Sequence, residues 1–235
     1  MCNSTNYVLV LDKPFNLSFV LNMEDVFRTK PGLMKLKMLA ITGGISGMLS
    51  ITSYLTIAFA SLPDSIVFFL AMAFPILGIV FLFSAMEYID YYKPSYSNKL
   101  GFVFGSLAFT LCAAFLAAQL AVQIGVNVDN DQVGAEEARF VKESVRFIDM
   151  GIDVAWDMFI GTYLILFLIS SRKLKELRFF GFILGLLGIA LMVLNTITFP
   201  NPPAESGLFD LGPFIALGLF ALAGQLLRLG LVKRC

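Results

Sequence analysis

The chain has 235 residues, of which 58% are hydrophobic and 14% charged, with 17 basic residues balanced by 17 acidic ones and no histidine. An apolar fraction this high excludes an ordinary soluble domain and points to a membrane protein. The missing imidazole excludes zinc proteases, Ser-His-Asp hydrolases and histidine-ligated haem bundles, and the scattered Cys2, Cys112 and Cys235 offer neither a disulfide framework nor a metal cluster.

A helix needs about 20 apolar residues to cross about 30 Å of hydrocarbon, and six runs of that kind can be read along the chain. The first 37 residues, opening "MCNSTNYVLVLDKPFNLSFVLNMED", contain only short apolar bursts and no signal-peptide pattern. They read as a cytoplasmic N-terminal segment, in the form of a tail, a short hairpin or an interfacial piece. Spans follow at 38–60 and 66–86, joined by "SLPDS", a turn so tight that the two must form an antiparallel hairpin. Pro75 should bend the second of them, because it removes a backbone hydrogen bond. The third span covers 100–126. A polar segment then carries Ala138, Val141, Val145 and Ile148 at helical steps, which predicts an amphipathic outer helix over about 133–148, separate from or continuous with the next span. The fourth span takes 150–170 and the fifth 179–199. After "TFPNPPAESGLFDLGP", a proline-rich loop expected to be stiff and compact, the sixth takes 211–232. The expected fold is therefore all-α: a polytopic bundle of six transmembrane helices over residues 38–235.

Orientation follows from the basic residues. Of the 17, only Arg139, Lys142 and Arg146 fall on one side of the six spans, and all the others fall on the opposite side with the two termini. By the positive-inside rule both termini are expected in the cytoplasm. The outer side is acidic, and nothing suggests a nucleic-acid partner. Glycines four residues apart at Gly43/Gly47, Gly101/Gly105 and Gly181/Gly185 suit close helix packing, either within the bundle or in a homodimer.

Ionisable groups inside a span carry the most information, since a carboxylate near the bilayer centre costs about 2.5–3.5 kcal/mol on insertion scales. In "FIDMGIDVAWDMFIG", Asp149, Asp153 and Asp157 recur every fourth residue, so they share one helix face over about 12 Å and descend from the outer surface. Asp149 reads as a rim charge beside Arg146, Asp153 as an entrance, and Asp157 as the buried member. Gln119 and Gln123 in the third span, Asn195 with Thr196 and Thr198 in the fifth, and Asp210 at the start of the sixth lie at similar depth. These residues predict a polar pocket that opens outward and has no deep Lys or Arg to neutralise it. For each there is a plainer structural role: helix capping for Asp210, interhelical hydrogen bonding for the amides, and a hydrogen-bonded structural carboxyl for Asp157. Trp156 reads as a packing or interface residue, and "MEYIDYYKPSY" at the inner face as an aromatic belt with solvated charge.

Two strings, "GIDVAWDMFIG" and "LNTITFPNPPAESGLFDLGP", resemble a group of uncharacterised bacterial six-helix integral membrane proteins that share a D-x-x-W-D segment followed by N-x-x-T-F-P and D-L-G-P. The resemblance covers roughly residues 147–235. It picks out Asp153, Trp156, Asp157, Asn195, Phe199, Pro200, Asp210, Gly212 and Pro213, and it implies a bacterial inner-membrane bundle without implying an activity.

Three function classes follow. The first is a cation- or proton-linked carrier of small solutes, or a ligand-binding protein, with Asp153, Asp157, Asn195, Gln119, Gln123 and Asp210 around its ligand. The second is a structural or accessory membrane subunit with no ligand of its own. The third is a membrane-embedded lipid-modifying enzyme, disfavoured because phosphate handling usually adds convergent Arg or Lys, so that no catalytic residue is assigned. No cofactor and no metal is expected; the expected partners are the lipid bilayer, a cation or small solute, and a second copy of the chain.

Overall fold

The structure, a computed structural model, describes residues 17–128, 135–201, 203 and 206–232. The first 16 residues and the first two of the expected outer helix lie outside the described residues. Six helices account for nearly all the rest: α1 (Leu17–Phe59), α2 (Asp64–Tyr92), α3 (Tyr96–Val128), α4 (Ala135–Ser171), α5 (Arg178–Thr198) and α6 (Gly212–Leu231). Each contains a segment long and apolar enough to cross a membrane, and no strand occurs among the described residues.

Several helices outrun the apolar runs that announce them. The chain from Leu17 onward is continuous with the first span, where the sequence suggested a tail or hairpin, and α1 reaches 43 residues. Likewise the expected outer helix is not a separate element: α4 runs unbroken for 37 residues from Ala135 into the fourth span. The lack of any Pro or Gly between Ala135 and Met150 explains this, since nothing stops the helix where it leaves the apolar stretch.

The helices pack mainly with their chain neighbours. α1 lies between α2 and α6, α4 lies between α3 and α5, and α2 meets α3, whereas α5 and α6 touch only slightly. Phe81, Leu82 and Ile89 of α2, Leu164 of α4, Leu184 of α5 and Leu222 and Leu226 of α6 are fully buried in the shared core. Large apolar side chains such as Phe69, Ile76, Phe182 and Val193 face outward, a surface suited to hydrocarbon rather than water.

Close approach depends on the small residues. A Cβ on Gly44 would stand 2.6 Å from the backbone nitrogen of Leu227, so α1 and α6 are in backbone contact there. A Cβ on Gly188 would lie 2.9 Å from the Gly161 carbonyl oxygen, which places α5 equally close to α4. Gly43, Gly47, Gly105 and Gly185 likewise abut side chains of neighbouring helices, so these residues serve packing inside the bundle. At Pro75, Ser50 of α1 donates to the carbonyl of Phe74 at 2.8 Å and ties the proline turn to its neighbour.

Candidate functional site

The deepest polar pair in the bundle lies where the carboxylate ladder of α4 meets α5. Asp157 is 7% exposed and Asn195 1%, and Asn195 Nδ2 donates to Asp157 Oδ2 at 2.8 Å. The same amide nitrogen donates to the Leu191 carbonyl at 3.0 Å, so both of its hydrogens are used. Its oxygen, Oδ1, is buried without a partner. A buried acceptor left unpaired costs about 1–3 kcal/mol, so this oxygen is a place where a donor or a cation would be welcome. No Lys or Arg among the described residues pairs with Asp157.

Asp157 also borders a small central cavity to which all six helices contribute, among them Tyr54 of α1, Phe74 of α2, Phe109 of α3, Trp156 of α4, Leu191 of α5 and Ile215 of α6. The cavity offers about 30 Å³, room for one or two water molecules. Its walls are mostly apolar and aromatic. Tyr54 stacks obliquely between Phe74, at 5.3 Å between ring centroids, and Trp156, at 6.4 Å. Phe74 in turn meets Phe109 edge-on at 5.3 Å.

The other expected pocket residues fall into four groups. Asp153 and Asp210 stand close enough to Asp157 and Tyr54 to act on them electrostatically. Asp210 is exposed and its Oδ1 accepts the Gly212 N–H at 2.8 Å, fixing the turn into α6. Gln119 is exposed and reaches Asp149, joining α3 to α4 nearer the rim instead of joining Asp157. The backbone of Gln123 continues α3, and its side chain lies outside the described residues. Thr196 and Thr198 each turn back on their own helix, donating to the carbonyls of Met192 and Leu194 at 2.8 and 3.0 Å, which occupies their hydroxyl hydrogens.

Apart from Trp156, which the sequence singled out without placing it at a cavity, the aromatic part of the site escaped sequence reasoning. Tyr54 was a further legible clue, a hydroxyl-bearing ring in an apolar span at the depth of Asp210. Phe74 and Phe109 carry no such mark among 24 phenylalanines.

At the basic end, "MEYIDYYKPSYSN" is more ordered than a solvated belt requires. Asn98 Nδ2 donates to Asp90 Oδ1 at 2.7 Å and to the Met86 carbonyl at 2.8 Å, while Ser95 Oγ accepts the Asn98 N–H at 3.1 Å and caps α3. Beyond that turn, Lys93 stands within hydrogen-bonding reach of Lys173, and this neighbour lowers its pKa from the ordinary lysine value. Compared with known protein families, curated proteins and solved structures, the chain has no match.

Proposed function

We propose that the chain is a multi-pass protein of a bacterial inner membrane, akin to the six-helix group that its carboxy-terminal motifs resemble, and that it binds a small cation or a proton at Asp157. The observation that carries this reading is a buried carboxylate beside an unpaired amide oxygen, without a cationic partner among the described residues, at a cavity shared by all six helices. A charge held there calls for a compensating ion or proton. The cavity volume supports the ionic part of the reading over the solute part. About 30 Å³ accommodates a small inorganic cation or a hydrated proton, whereas an organic solute would require the helices to separate. Coupling of that ion to solute transport extends the same proposal.

The Asp157–Asn195 bond also favours a second reading, in which the pair locks α4 to α5 in an accessory subunit without a ligand. The lipid-modifying alternative has less support, since no Lys or Arg lines the cavity and no cluster of three metal-ligating side chains occurs among the described residues. Thermal unfolding of the full chain in detergent, scanned over Li⁺, Na⁺, K⁺ and pH, separates the first two readings. Ion binding predicts stabilisation by one cation or over one pH range, lost in Asp157→Asn while the variant remains folded. A wild type indifferent to all of these, with Asp157→Asn markedly less stable, would establish the lock instead.

A further inference from the structure

The turn between α4 and α5 is drawn tight by backbone bonds from Leu174 N to Ser171 O at 2.9 Å, from Leu177 N to Leu174 O at 3.0 Å and from Arg178 N to Leu174 O at 2.8 Å. Turns closed three residues apart bring side chains at i and i+3 to the same side. Leu174 and Leu177 use that repeat to anchor the turn, with Leu177 fully buried and Leu174 packed against the core. Arg172, Lys175 and Arg178 use the same repeat on the open side, where they line one recess of about 400 Å³.

The rest of the recess is apolar: Leu168 of α4 and Phe179 and Phe182 of α5, the last two being 67% and 55% exposed. None of the three cations is in an ion pair among the described residues. Glu176, the one carboxylate in the turn, is exposed, and its backbone carbonyl accepts from Gln225 of α6 at 3.3 Å. Below the recess, Leu186 and Ile189 continue the exposed apolar ridge along α5.

We propose that this recess binds an anionic phospholipid, its phosphate among Arg172, Lys175 and Arg178 and an acyl chain along Phe179, Phe182 and the α5 ridge. A free anion would use the cations and leave the phenylalanines idle. A zwitterionic lipid would cover the phenylalanines, but its own ammonium would meet three positive charges. Only a lipid with net negative charge satisfies both halves, and basic pockets beside apolar helix faces suit such headgroups. The site is independent of Asp157, at the opposite end of the fourth span.

Binding of phosphatidylglycerol and phosphatidylcholine to the full chain in neutral detergent, counted by native mass spectrometry, tests this. Phosphatidylglycerol should bind more than about tenfold tighter, given three cations at one headgroup. R172Q/K175Q/R178Q should lose that preference, and the charge-matched K35Q/K37Q/K99Q should keep it. If the triple variant does not fold, Lys175→Gln, a single change in an exposed turn, should still weaken the preference about threefold. Equal affinity for the two lipids, a preference that survives these substitutions, or millimolar inorganic phosphate displacing the lipid would each overturn the assignment.

Discussion

Asn195 of α5 donates to Asp157 of α4 at 2.8 Å, about one helical turn along α4 and two along α5 from the point where Gly161 and Gly188 bring the two backbones together. The glycines bring α4 and α5 close together, and the polar pair forms along the same seam. Interhelical hydrogen bonds of this kind contribute about 0.6 kcal/mol on average and up to about 1.7 kcal/mol, since the chain unfolded in the membrane also finds partners. A double-mutant cycle on Asp157→Ala and Asn195→Ala, read by unfolding in detergent, should therefore give a coupling in the upper part of that range. A coupling near zero would show that the two side chains are stabilised independently.

Gly44 and Gly151 should respond oppositely to a methyl group. At Gly44 the added Cβ meets the backbone of Leu227, which cannot move without shifting α6, so Gly44→Ala should destabilise by about 1–3 kcal/mol. At Gly151 nothing lies within 4 Å, and Gly151→Ala should be neutral or stabilising by up to about 1 kcal/mol. Melting temperatures of the two variants in one detergent settle the contrast, and equal effects would mean that α1 and α6 are farther apart than described.

Asn98 holds the turn between α2 and α3 with a single amide nitrogen that serves both a carboxylate and a backbone carbonyl. Asn98→Ala leaves both acceptors without that donor in a site only 6% exposed, and a loss of about 1–3 kcal/mol is expected. Asn98→Asp should be worse still, because it sets a second negative charge against Asp90. A variant as stable as wild type would place the strength of this corner elsewhere, in the aromatic contacts of Tyr88, Tyr91 and Tyr92.

The helices were legible because hydrocarbon demands long apolar runs, a signal that survives without knowing any tertiary contact. Their true ends were not, since α4 continues through polar sequence that holds no Pro or Gly before Met150, and α1 continues through Pro31 and Gly32, a pair that reads in sequence as a helix boundary. Within the site, Asp157 and Asn195 could be matched by depth along antiparallel spans. Depth says nothing of rotation, and so Gln119, at a suitable height, turns out to serve Asp149. Rotation also decides which phenylalanines face the cavity and which face outward: Phe74 lines the cavity and is 2% exposed, while Phe69, five residues earlier in α2, is 69% exposed, and the two are the same residue type in the same apolar run.

The charge asymmetry between the two ends of the bundle predicts a direction of insertion. Among the described residues, Arg139, Lys142 and Arg146 are the only basic residues near the end that carries the α1–α2 and α5–α6 loops, and the positive-inside rule puts that end outside. Ser61 and Ser206 are exposed in those two loops, while Tyr96 and Lys173 are exposed at the basic end. Cysteines placed singly at these four positions, with the three native cysteines replaced, should divide two and two toward a membrane-impermeant maleimide applied to intact cells. Those at 61 and 206 should react at once, and those at 96 and 173 only after the membrane is opened. In a parallel variant that keeps only Cys112, that thiol, buried in α3, should stay unlabelled in the folded protein on either side. Labelling at 96 and 173 in intact cells would invert the topology and, with it, place Asp153 and Asp157 toward the cytoplasm, so that any ion reaching them would come from within.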